Sequence, residues 1–397
     1  MSPCHLVTVS LFLAAAAVAR AADPAPAPPP KPDVPAKPAA PEPVASAELE
    51  GAIRRGVAFL VTSQNADGSW GTPERTKNLN IMAEPPGSLQ AFQTGTTALA
   101  VAALIDVGAD TPEAKRALER GEAWLLEHLP KLRRATPVEL YNVWGHGYGV
   151  LALAKMHGRL PDDADRKRKI EDLIRDQFDR LTRYESVDGG WGYYDFKIGA
   201  AHPSTDSTSF VNAAVLLALY EAKQIGVEPP EKLVKRAVAA TERQRLPGDT
   251  YLYGEYLKYQ PARGINRPAG SLGRSQACNL ALRVWGDKTI TDEVLTTWLD
   301  RLIVRNGWLS NGRKRPIPHE APFQVAGYFY YFGHYYAGLC TAQLKPDARP
   351  FYQDHLARLI MPLQETDGSW WDYPLYNYHQ PYGTSFALMT LARCRKK

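Results

Sequence analysis

Apolar positions along this chain predict two alternating kinds of helix. Ile170, Ile174, Phe178 and Leu181 recur at helical spacing among charged residues, which marks a helix with one buried face and one face in water. Farther on, Phe210–Ala222 (FVNAAVLLALYEA) is apolar nearly all round, the pattern of a helix buried on most sides. The same succession runs along the chain. One-sided segments are predicted at roughly 48–64, 112–130, 163–184, 230–245, 291–305 and 350–364. Buried segments are predicted at roughly 94–107, 141–157, 205–225, 271–285, 323–343 and 382–394. Thr111-Pro112, Pro229-Pro230 and Thr291-Asp292 supply capping chemistry at helix starts. No stretch keeps the sustained alternation of a strand.

The pattern is a repeat. Arg55-Gly56-Val57-Ala58-Phe59-Leu60 leads to Gln64 and then Asp67-Gly68-Ser69-Trp70. Its opening returns at Arg120-Gly121-Glu122-Ala123-Trp124-Leu125, and its close returns at Gln364 and Asp367-Gly368-Ser369-Trp370. A variant close stands at Glu185 and Asp188-Gly189-Gly190-Trp191, and a degraded one at Asn306-Gly307-Trp308. A period of about sixty residues fits the spacing of these tryptophans and arginines. Neither helix of a pair can bury its apolar surface alone, whereas stacked pairs can, and closing the stack into a ring removes its exposed ends. The expected fold is therefore all-α: an (α/α)6 toroid of six helix pairs, with six inner helices around a central funnel. In the motif itself, Gly68 permits a tight turn, Gln64 can bond backbone groups left open at the helix end, and Trp70 offers a broad stacking face.

These residues resemble a known family. The segment Arg55–Trp70 is similar to the QW motif of squalene–hopene and oxidosqualene cyclases, in the prenyltransferase/squalene oxidase repeat superfamily that also includes the β subunits of protein prenyltransferases. The resemblance covers about residues 48–397. It implies the terpenoid-cyclase toroid, and it implies an activity only where catalytic motifs match. The acidic element of class II cyclases corresponds to Ser204-Thr205-Asp206-Ser207-Thr208, where the central Asp and the Thr are present. The resemblance would make Asp206 the acid that protonates an alkene or epoxide, with His202 as its partner; the alternative is that Asp206 caps the helix that follows. Those cyclases use two toroids, and this chain has room for one. Tyr331-Phe332-Gly333-His334-Tyr335-Tyr336 resembles the prenyltransferase helix that carries a zinc-binding His, but the other ligands of that site have no counterpart here. A zinc site needs three protein ligands, so no metal and no cofactor is expected.

Composition narrows the picture. The chain has 397 residues, 45% hydrophobic, with 47 Lys and Arg against 42 Asp and Glu, which suits a large buried core. The basic run Arg166–Lys169 is flanked by acids and reads as a solvated helix face, so no nucleic-acid partner is expected. Residues 1–22 read as a secretory signal, with the apolar run Leu6–Ala19 followed by Ala19-Arg20-Ala21. No later segment is long and apolar enough to span a membrane. Residues 23–46 are a Pro/Ala-rich linker expected to be extended and disordered, and the toroid occupies 47–397. The expected location is secreted or periplasmic. Cys278, Cys340 and Cys394 form no disulfide framework.

Candidate chemistry gathers at the starts of the inner segments. Besides Asp206 and His202, the expected ligand-binding residues are Tyr141, Trp144, His146, Arg274, Tyr331, His334 and Tyr382. The expected function is binding or transforming an apolar, isoprenoid-type ligand in the funnel. The alternatives are a non-catalytic interaction module, with an extracytoplasmic partner, or a secreted carbohydrate-binding or carbohydrate-active toroid. A glycosidase would need paired carboxylates, for which Asp206, Glu320 and Asp372 are the available acids.

Overall fold

The computed structural model describes residues 35–72, 74, 87–160, 162–197, 202–204, 207–316 and 324–396. The signal segment, the first half of the linker, Thr205, Asp206 and Glu320 lie outside the described residues. Val34–Lys397 forms one compact unit.

Six outer helices alternate with six inner ones. The outer set is α1 (Ser46–Thr62), α3 (Pro112–His128), α5 (Ala164–Tyr184), α7 (Glu231–Arg243), α9 (Asp292–Val304) and α12 (Arg349–Ile360). The inner set is α2 (Leu89–Val107), α4 (Asn142–His157), α6 (Ser209–Gln224), α8 (Leu272–Val284), α11 (Phe329–Gln343) and α13 (His379–Arg393); a short α10 (Asn306–Ser310) follows α9. A two-residue hairpin, β1 (Arg245–Leu246) with β2 (Thr250–Tyr251), is the one sheet among the described residues. Each inner helix packs against the next, in the order α2, α4, α6, α8, α11, α13, and α13 returns to α2. The chain is an α/α toroid.

Sequence decides which helix goes where. In α5 only Ile170, Leu173, Ile174, Gln177, Phe178 and Leu181 are buried, whereas α2 is buried on nearly every side from Thr94 to Leu104. Thr111, Asp163 and Thr291 begin outer helices by accepting bonds from Ala114, Arg166 and Val294 backbone N–H groups. Gly108, at φ 72°, ends α2 in the left-handed region.

The repeated turn is the clamp between neighbouring pairs. Gly68 has φ 96°, and a Cβ there would lie 2.7 Å from the Arg120 carbonyl oxygen on the next outer helix. Gln64 Nε2 donates to Gly68 O at 2.9 Å and to Ala117 O at 2.8 Å, so it bonds the turn and the neighbouring helix rather than the end of its own. The Trp70 indole N–H donates to Leu60 O at 2.7 Å, and its ring packs so tightly on α3 that a Cβ on Gly121 would sit 2.6 Å from it. The glycine that opens one repeat is thus the seat for the tryptophan that closes the repeat before it.

The last copy closes the ring. Gln364 Nε2 donates to Ala52 O at 3.0 Å, and Trp370 sits over Gly56, where a Cβ would lie 2.7 Å from its ring. Residues more than 300 positions apart in sequence are joined by the same geometry that joins neighbours elsewhere. Residues 35–45, extended as their prolines dictate, lie along α12, with Val44 N–H donating to Asp354 Oδ1 at 3.0 Å and Lys37 Nζ 5.2 Å above the Phe351 ring.

Candidate functional site

Because outer and inner helices alternate, every outer-to-inner connection and every inner-helix N-terminus falls at the same end of the ring. That end holds a cavity of about 730 Å³. Of its 23 described lining residues, ten are tyrosines, five are phenylalanines and one is Trp144. None is a carboxylate, Lys or Arg, so the wall offers π faces and phenol hydroxyls.

The inner helices supply the floor, mostly from their first two turns. Phe92 and Leu99 come from α2, Trp144 and Tyr148 from α4, Phe210 from α6, Phe329 and Phe332 from α11, and Tyr382 from α13. Phe210 is the hub: its ring lies 4.8 Å from Phe329, 5.3 Å from Tyr253 and 5.8 Å from Trp144. Helix α8 contributes no described lining residue; the loop before it brings Tyr253 and Tyr256 instead.

Phenols are tied to one another around the wall. Tyr141 pairs with Tyr194, and Tyr193 pairs with Tyr253. The Tyr253 and Tyr328 hydroxyls are 2.7 Å apart, and Tyr382 Oη donates to Tyr328 O at 3.3 Å. Burial pushes the phenols of Tyr141, Tyr193, Tyr253, Tyr328 and Tyr382 up from their ordinary range, so they stay neutral.

Of the residues expected from sequence, Tyr141, Trp144 and Tyr382 line the cavity. His146, Arg274, Tyr331 and His334 stand behind the wall. His146 Nδ1 donates to Gln177 Oε1 at 2.7 Å on outer helix α5. His334 Nδ1 donates to Tyr330 O at 2.7 Å, and its Nε2 accepts from Asn306 Nδ2 at 2.8 Å. Burial pulls both imidazoles down to about 4, so they are neutral struts between the two layers. Sequence did not show this, because an inner helix is buried all round and its apolar pattern does not say which side faces the funnel.

Arg274 is a clamp. Its guanidinium donates to Gly270 O at 3.1 Å, to Tyr251 O at 2.9 Å and to Ile265 O, and it packs under the Tyr253 and Phe329 rings at 5.7 and 5.6 Å. Burial pulls its pKa down to about 10. Tyr331 takes part through its backbone: its N–H donates to Asp372 Oδ2 at 3.0 Å. Asp372, in the connection between α12 and α13, thereby caps the neighbouring α11, fully buried, and burial pushes its carboxyl up to about 7. It does not line the cavity. His202 is exposed and also outside the lining. Asp206 falls outside the described residues.

Sequence reasoning missed Phe92, Tyr148, Tyr193, Tyr194, Phe210 and Tyr253. A signal existed: five of the six inner helices carry an aromatic residue at or near the first turn, which aligning the helix starts would have exposed. Among the described residues no group of His, Cys, Asp and Glu could hold a metal ion.

No protein-family model matches the chain, and no curated protein matches it. Solved structures do. The chain is similar to a variant of the type II terpene cyclase MstE from Scytonema in complex with its substrate, geranylgeranyl dihydroxybenzoate, at 12% identity and TM-score 0.51, over 88% of this chain and 97% of that one. It is similar to an inactive variant of the alpha-1,6-mannanase GH76A of a Salegentibacter species in complex with alpha-1,6-mannotriose, at 10% identity and TM-score 0.53, over 87% and 98%. A possible GH105 family member from Klebsiella pneumoniae matches at 12% identity and TM-score 0.53, over 88% and 93%. At these identities the likeness is one of fold, and it spans terpene cyclases and glycoside hydrolases alike.

Proposed function

We propose that this chain binds an apolar, isoprenoid-type ligand in the aromatic cavity. The observation that carries the reading is the lining: sixteen aromatic side chains around about 730 Å³, with no carboxylate, Lys or Arg among the described lining residues. That volume suits a ligand of drug-like or diterpene size. A toroid of similar fold holds a geranylgeranyl compound. The carbohydrate reading takes support from the mannotriose complex, but glycoside hydrolysis needs two carboxylates facing the scissile bond, and no described carboxylate faces this cavity.

We further propose that the chain is an exported member of the prenyltransferase/squalene oxidase repeat superfamily, with residues 1–22 removed. Asp206 is the candidate acid for any turnover. The Asn variant keeps the shape and the capping ability while losing the transferable proton, so loss of turnover with unchanged melting would assign it as the acid, and full activity would leave a binding protein.

Binding is tested by quenching of Trp144 fluorescence. Geranylgeraniol should quench it saturably and mannotriose should not. Gly95 lines the cavity, and a Cβ there would meet nothing closer than 3.7 Å. Gly95→Ala should therefore fold and keep the quench, whereas Phe210→Ala, which removes the ring packed on Phe329, Tyr253 and Trp144, should weaken it. Saturable binding of mannotriose without geranylgeraniol binding would overturn the proposal in favour of the carbohydrate reading.

A further inference from the structure

Prolines stand at every third position from Pro26 to Pro41, and Val44 continues the spacing. Polyproline II turns once in three residues, so this spacing gathers them on one face. The described part of the segment follows that period. Pro35, Pro38, Pro41 and Val44 are half-buried, and every residue between them is exposed. Ala45 ends the segment at φ −69° and ψ 136°, inside the polyproline II region. Residues 35–45 are therefore a strap with one face on the ring and the others in solvent.

The ring side of the contact matches the strap in chemistry. Phe351, His355 and Arg358 recur at helical spacing on one face of α12. The Phe351 and His355 rings meet edge to face at 4.7 Å, and the Ala39 backbone bonds the His355 imidazole. Lys37 Nζ lies 5.2 Å above the Phe351 ring. Burial raises the Asp300 carboxyl on α9, and the Tyr352 hydroxyl, at 3.0 Å, and Lys37 pull it back. The Lys37 cation thus has an aromatic and an acidic partner.

The strap's backbone is read as well. A polyproline II chain makes no internal hydrogen bonds, so its carbonyls are open to outside donors. Arg358 takes two in succession: Nε donates to Glu42 O at 3.3 Å and Nη2 to Pro43 O at 3.1 Å. Val44 N–H donates to Asp354 Oδ1 at 3.0 Å. These partners are 310 to 316 positions apart in sequence, so the contact joins two separate surfaces and is no product of chain proximity.

We infer that this face of α12 is a binding groove for a cationic polyproline II peptide, with residues 35–44 as its resident ligand. The groove reads the pattern P-x-K-P-x-x-P-x-x-V. Prolines three apart supply the buried face, the cation before the second proline meets Phe351 and Asp300, and the two carbonyls before the valine meet Arg358. The tether holds the resident at high effective concentration, so the groove is closed to weak competitors and yields only to a proline-rich segment of the same spacing and charge. The inference is independent of what the cavity holds.

The test uses a fluorescein-labelled peptide of residues 35–45 and the full chain carrying Pro38→Glu with Pro41→Glu, which releases the strap. Fluorescence anisotropy should show the peptide binding the released protein at least about tenfold more tightly than the parent, whose own strap competes at about millimolar effective concentration. Adding Arg358→Ala should weaken the peptide about tenfold, as loss of a charged donor does. A Lys37→Glu peptide should bind more weakly, and a peptide of the same composition with its prolines out of phase should not bind. The strap lies outside the helical core, so circular dichroism should show the same helix content in every variant. The parent supplies a second measurement. A spin label on Ala40→Cys, in a Cys4→Ser background because the other three thiols are buried, should gain mobility when unlabelled peptide is added at about millimolar concentration. Equal affinity of parent and released protein, equal binding of the out-of-phase peptide, or a label that the peptide leaves unmoved would overturn the inference. So would light scattering that shows a dimer broken by Pro38→Glu with Pro41→Glu, which would make the strap the ligand of a second copy.

Discussion

Replacing Asp372 by Asn tests whether a buried carboxyl caps α11 as a neutral acid. The side chain is fully buried and accepts from Tyr331 N–H at 3.0 Å. Burial raises its pKa from 3.8 to about 7, against the opposing pull of that N–H and of Arg313. Between those two values the folded chain holds a proton that the unfolded chain has released. Stability therefore falls as pH rises through this window and levels off above about 7. The span is about three pKa units, worth up to about 4 kcal/mol at 1.36 kcal/mol per unit. Asn keeps the acceptor for Tyr331 and cannot ionise. The variant should match the parent near pH 4 and gain on it steadily up to pH 7.5. For about 350 ordered residues the unfolding entropy is about 0.7 kcal/mol per kelvin, so the full effect is about 5–6 °C in Tm. Calorimetry of both proteins at half-unit pH steps measures the difference directly, and other titrating groups cancel. A difference that stays constant from pH 4 to 8 would refute the reasoning, because it would mean Asp372 ionises in the folded protein as it does in water.

Three other outcomes follow from the same geometry. Gly368→Ala should destabilise by about 2–3 kcal/mol, since φ is 89° and the new Cβ would lie 2.4 Å from the Arg55 carbonyl oxygen; because this turn closes the ring, melting should show the loss without a new ligand preference. Gly95→Ala should raise stability by about 0.5–1 kcal/mol, as the position is helical with room for a methyl group. Acidification from pH 6.5 towards 4 should destabilise the fold through His146 and His334, by up to about 3 kcal/mol each, because both stay neutral when folded and charge when unfolded; urea titrations of His334→Gln should show a shallower acid limb than the parent.

The alternation of one-sided and all-round apolar segments was enough to place twelve long helices, with the starts of α2, α6 and α11 off by four to six residues, and the spacing of Trp70, Trp191 and Trp370 is itself a feature of the chain. Those features are local: a helix has to bury its own apolar stripe, and a repeated turn has to repeat its own glycine. The interlock of Trp70 with Gly121 and of Trp370 with Gly56 was not legible. It joins one repeat to the next, and in the second case one end of the chain to the other.

The site divides in the same way. That the inner-helix starts share one end of the ring follows from sequence, because alternating pairs bring them there. Which side chains face the funnel does not follow. An inner helix is apolar on every side, so its hydrophobic period carries no phase, and Tyr141 and Trp144 could not be told from His146 and Tyr331. Only the packed ring turns Trp144 into the cavity and His146 onto Gln177. Likewise, the charges of residues 192–197 and 252–271 are plain in the sequence, but their net sign at the surface was decided by folding, which buried Asp195 and Glu255 against arginines and left the lysines outside.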